Sequence, residues 1–115
     1  MESVIRDFIK ELSNVNDLGS ADYEEYLKKY LISLSKENFY ILLSAWDIGR
    51  DLIGYPESTR EEIEKFGGKK SLLLKNAEDL KGNFPYDDSG TFHYFLSKKP
   101  VRIKEALREF LFLEI

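Results

Sequence analysis

His93 is the only imidazole in the chain, and there is no cysteine. Proton transfer through histidine would have to use His93, and thiolate nucleophiles, disulfides, cysteine-type zinc sites and iron–sulfur clusters are excluded. Set between Phe92 and Tyr94, His93 reads as a packed or hydrogen-bonded side chain rather than a catalytic base. No Gly-x-Ser-x-Gly elbow is present, and Gly49 stands alone among helix-forming residues, so neither builds a nucleophile turn or a phosphate loop. Gly67-Gly68-Lys69-Lys70-Ser71 lacks the Walker spacing and reads as a helix stop followed by a cap. Asp87-Asp88-Ser89-Gly90 resembles a fragment of a calcium loop, but without the later bidentate glutamate it reads as a polar turn. Asp47 and Asp51 are one helical turn apart and share a face that Arg50 and Lys36 could neutralise. A carboxylate from another helix would be needed to turn that pair into a divalent-metal site.

A second constellation points to binding rather than catalysis. Tyr23, Tyr26 and Tyr30 form a stripe at helical spacing, flanked by Asp22, Glu24 and Glu25. Tyrosine joins a large apolar body to a polar tip and is enriched at protein interfaces. The stripe can be read as a core edge whose hydroxyls reach the rim, or as an aromatic and acidic face for a basic protein. Tyr55 and Glu57, and Tyr86, Asp87 and Asp88, repeat that chemistry in two predicted loops, where side chains are more often exposed.

These residues must be positioned by helices. Val4, Ile5, Phe8, Ile9 and Leu12 recur at helical spacing behind Ser3, a candidate N-cap. After a connection at 14–20, Ser20 or Asp22 could cap a second helix with the stripe Tyr23, Tyr26, Leu27, Tyr30, Leu31 and Leu34. A third begins near Lys36 and is apolar around most of its circumference, which predicts a central helix with Trp46 buried beside Phe39, Leu42 and Leu43. Gly54 and Pro56 should end it. Capping boxes at Ser58 with Glu61 and Thr59 with Glu62 predict a fourth helix as far as Phe66. Ser71 would cap a fifth, with Leu73, Leu74, Ala77 and Leu80 inward and Gly82 at its end. Residues 83–90 read as a loop. The aromatic segment 91–96 suits either a short extended stretch or a short helix, and a lone strand would lack a partner. Pro100 suits the first position of a last helix with the stripe Val101, Ile103, Leu107, Phe110 and Leu111. The expected fold is all-α, a single-domain bundle of five to six helices over residues 1–115, with at most one short extended segment near 91–96.

Length and charge bound the function. The chain has 115 residues and a formal net charge of −4, enough for one packed core and a radius of gyration of roughly 13 Å. The longest uninterrupted apolar run has five residues, Phe39 to Leu43, where a membrane span needs about 20. With acidic residues at the N-terminus in place of a signal peptide's basic region, the expectation is a soluble, cytoplasmic protein. Residues 1–57 carry 11 acidic and 6 basic side chains, whereas residues 58–115 carry 10 and 11. The first half would repel phosphates and attract a basic partner. Lys69-Lys70 and Lys98-Lys99 are pairs rather than a stripe, so nucleic acid is not the expected ligand. The favoured reading is a monomeric or weakly dimeric acidic inhibitor of a basic protein, without cofactor or catalytic activity, as bacterial immunity proteins are towards nuclease toxins. The competing readings are an adaptor using an apolar groove and a carboxylate-based metal-dependent enzyme at Asp47 and Asp51.

Overall fold

Most helix-forming stretches bury one apolar stripe, and most of those stripes meet on a central helix. The structure, a computed structural model, describes residues 1–15 and 18–115, without the side chains of residues 20, 21, 88 and 89. In chain order the elements are α1 (Glu2–Asn14), α2 (Ser20–Ser33), α3 (Lys36–Gly54), α4 (Pro56–Lys65), α5 (Lys69–Asn83), a π-helical turn (Asp88–Phe92), α6 (His93–Leu96) and α7 (Pro100–Phe112). The all-α reading holds, with seven α-helices among the described residues instead of five to six. The segment 91–96 is helical, Thr91 and Phe92 closing the π-turn and His93–Leu96 forming α6. No strand among the described residues could pair with it, and winding it turns Phe92, Phe95 and Leu96 into the core.

α3 is central, as its apolar circumference requires. Every residue from Phe39 to Trp46 is buried, and α7 and α5 make the most extensive packing against it. Trp46 is 4% exposed, and its indole meets the rings of Tyr94 and Phe95 edge-on. The close pair is α3 and α7. A Cβ on Gly49 would lie 1.8 Å from the Ala106 carbonyl oxygen, so glycine lets the two backbones touch. Against α5, the buried Ser44 hydroxyl donates to the Leu73 carbonyl at 2.8 Å. Phe8, on α1, stacks on Phe95 and meets Tyr30 of α2. The radius of gyration is 13.6 Å.

Several boundaries move for physical reasons. Ser35 caps α3 by accepting from the Asn38 amide at 3.1 Å. Ser3 and Ser20 do not cap: α1 starts at Glu2, and α2 starts at Ser20 behind Gly19. Of the connection before it, Asn16 and Asp17 lie outside the described residues. Pro56 opens α4 instead of merely closing α3, which places Ser58 and Thr59 inside the helix. Their hydroxyls turn back instead, that of Thr59 donating to the Asp51 carbonyl at 3.1 Å. α5 begins two residues before Ser71 because Gly67 and Gly68, with φ of 91° and 116°, make the turn. Lys69 then donates to the carbonyls of Phe110 and Leu111, at 3.2 and 3.0 Å, and so fastens α5 to the end of α7. Leu72 takes the inward place expected of Leu74, which is exposed. α5 continues through Gly82 to Asn83. Val101, 66% exposed, faces out of α7, and Ala106 takes the inward place beside Gly49.

Candidate functional site

α1 and α2 meet through side chains, Phe8 on Tyr30 and Glu11 on Tyr26, and the surface around that contact carries the tyrosine stripe with Asp22 and Glu25. The tyrosine stripe divides into two roles. Tyr23 and Tyr30 are half-buried against the core, as a core edge requires. Tyr26 is 42% exposed, and its hydroxyl donates to a carboxylate oxygen of Glu11 on α1. That bond, with desolvation behind it, raises the Tyr26 pKa. Burial also raises the Tyr30 pKa, and the nearby charges of Asp7 and Glu11 push it the same way. Asp22 and Glu25 are exposed beside Tyr26, with Glu25 only 3.8 Å from Lys29. Glu24 is committed to the fold: its Oε2 lies 3.0 Å from His93 Nδ1 and 3.1 Å from Lys28 Nζ. The hydrogen bond to His93 is the main reason its pKa falls below the ordinary glutamate value, with Lys28 adding to the effect against partial burial.

The two loop clusters do not form one surface with each other. Tyr86 sits edge-on between Phe39 and Phe92, and its hydroxyl donates to the Leu34 carbonyl at 3.2 Å, at the end of α2. It serves as a wedge in the core more than as a free anchor. Asp87 caps the π-turn, accepting from the Gly90 amide at 2.6 Å, as a polar turn should. The Asp88 side chain lies outside the described residues. Tyr55, 70% exposed, and Glu57 sit at the α3–α4 corner. That corner is 16 residues along α3 from Phe39, about 24 Å at helical rise.

The carboxylate pair shares a pocket with an acid from another helix, without forming a ligand set among the described residues. Asp47 and Asp51 on α3 and Glu62 on α4 line a pocket of about 200 Å³ together with Asn76 of α5. Asp47 is held by Arg50 at 2.6 Å and by the Asn76 amide at 3.1 Å. Lys36 stands three turns away at the start of α3. Asp51 has no ion-pair partner among the described residues, and its pKa is raised, first by burial and then by Asp47, with Glu62 acting the same way. Among the described residues no group of three acidic, histidine or cysteine side chains is placed to hold a metal ion.

Sequence reasoning missed Asp7, Glu11 and Glu62. Asp7 and Glu11 are one turn apart on α1, a visible signal, but only the packing of Phe8 against Tyr30 brings them beside the tyrosines. Glu62 looked like half of a capping box and instead faces the pocket. Comparison of the chain with protein-family models, with curated proteins and with solved structures yields no match.

Proposed function

We propose that the chain is a non-catalytic, acidic binding protein that inhibits a basic partner, as bacterial immunity proteins neutralise nuclease toxins. One observation carries the reading: the exposed Tyr26 bonds to Glu11 of α1, one helical turn after the exposed Asp22 and on the same helix as the exposed Glu25. Residues 1–34 hold seven acidic and four basic side chains, so this end of the chain has an acidic excess. A nuclease must be basic where it holds phosphates, and an acidic surface can occupy that site and speed the encounter. A central tyrosine adds the apolar contact that slows release. Such an inhibitor would act in the cytoplasm, where its target is made.

The test is recovery of the partner from the native host with the tagged chain, followed by binding kinetics at two salt concentrations. Glu24 is a poor probe, because reversing it breaks contacts to His93 and Lys28. Reversal of Asp22 and Glu25 to lysine is expected to slow association about tenfold, with a smaller effect on dissociation. Tyr26→Ala should instead speed dissociation. A partner with an acidic surface, or an affinity indifferent to salt and to both changes, would overturn the proposal.

A further inference from the structure

A second surface carries the opposite charge. Between α3 and α7 runs a groove of about 260 Å³, with Trp46, Ile53 and Ala106 as its floor and Arg50, Lys98 and Arg102 on its rim. Of its apolar lining Ile53 is open to solvent, while Trp46 and Ala106 are buried beneath it. The cations are held in different ways. The Arg50 guanidinium lies 4.5 Å over the Trp46 ring and is tied to Asp47. Lys98 Nζ lies 4.3 Å over the Tyr94 ring. No carboxylate among the described residues is within ion-pair distance of Lys98 or Arg102. That is informative on a chain where acids outnumber bases 21 to 17. Glu105 is the one carboxylate of the described lining.

We propose that this groove docks an acidic amphipathic segment of a partner protein, an apolar side chain seated on Ile53 over the floor of Trp46 and Ala106 while neighbouring Asp or Glu side chains meet Lys98 and Arg102. Charge complementarity selects that occupant. A basic segment would meet the cations directly. A nucleic acid needs a row of cations for successive phosphates, and here two unpaired ones share the rim with Glu105. Arg102 offers a planar fork that can take a carboxylate with two parallel bonds. The groove is distinct from the acidic α1–α2 surface and selects for the opposite charge.

The probe is a short fluorescein-labelled helical peptide with leucines at helical spacing and glutamates between them. Its control has lysine in place of each glutamate. Binding is followed by polarisation and by amide shifts of the ¹⁵N-labelled full chain. The glutamate peptide is expected to bind saturably and to shift the amides of Ile53, Arg102 and Ala106. Arg102→Glu should weaken it about tenfold and Arg102→Lys, which keeps the charge but loses the fork, by less. Arg102 is exposed, so the reversal should leave the unfolding midpoint unchanged. If it does not, Lys98→Glu provides the same reading. Absence of binding, equal binding of the lysine peptide, shifts confined to α1 and α2, or displacement of the peptide by a single-stranded oligonucleotide would each overturn the proposal.

Discussion

Gly49 illustrates how one residue can decide a helix crossing. Glycine inside a helix costs about 1 kcal/mol relative to alanine, so by propensity alone Gly49→Ala should stabilise α3. The new Cβ would sit 1.8 Å from the Ala106 carbonyl oxygen, which belongs to backbone and cannot swing away. Forcing extra volume into a packed contact costs about 1–3 kcal/mol, occasionally more, and here two whole helices must separate. The expected outcome is a net loss of about 2 kcal/mol, measured by urea unfolding. Trp46 poses the reverse case. Truncating a buried aromatic leaves a cavity, and Trp46→Ala is expected to cost about 3–5 kcal/mol. A Trp46→Ala protein that unfolded at the wild-type urea midpoint would contradict the central place of α3. Trp46 was legible from the apolar residues around it in sequence. Gly49 was not, because its meaning lies 57 residues away at Ala106, and a lone glycine in a helical stretch looks like a defect until its neighbour is known.

At the scale of elements, what could be read ahead was whatever local chemistry decides. α3 begins after Ser35 and α7 at Pro100, because a capping hydroxyl and a fixed proline φ act within one turn. Pro56 and the Gly67-Gly68 pair each start a helix as well as stopping one, and the weaker serine and threonine signals that follow gave way to them. The tyrosine stripe of α2 was legible from its spacing. Its division into half-buried Tyr23 and Tyr30 and exposed Tyr26 depended on how α1 packs, which no local pattern states. The attachment of α2 to α6 also appears only in three dimensions, through Glu24 and His93. Because the Glu24 pKa is lowered in the folded protein, its contribution is present above the ordinary glutamate pKa and is lost as pH falls through the depressed value. The site is partly exposed, so solvent reduces the effect to about 0.5 kcal/mol. Glu24→Gln should therefore unfold slightly earlier than wild type at neutral pH, and at the same urea midpoint once the acid is strong enough to protonate Glu24. A difference that persisted unchanged in acid would mean that packing, and not charge, joins α2 to α6.

For the molecule as a whole, acidic excess and one mispaired carboxylate act in the same direction. The net charge is −4 and the sequence pI about 5.1, so self-repulsion grows as pH rises from mildly acidic to neutral. Asp51 adds to this from inside the α3–α4–α5 pocket, where its pKa is raised by burial and by Asp47. A raised carboxyl pKa means that the folded chain holds the proton more tightly than the unfolded chain. Stability then falls as pH rises through the window between the ordinary and the raised values, and the full cost is borne above it. Glu24 works the other way, but only below the ordinary glutamate pKa. Together they place maximal stability on the mildly acidic side of neutrality. Asp51→Asn removes the charge while keeping nearly the same shape, so it should raise the urea midpoint at roughly pH 7.5 and leave it nearly unchanged at strongly acidic pH, flattening the profile. The comparison needs unfolding curves for both proteins across that range. If Asp51→Asn were less stable than wild type at neutral pH, the Asp51 carboxylate would have to be making a favourable contact in the pocket, and its burial beside Asp47 could not be what governs the pH profile.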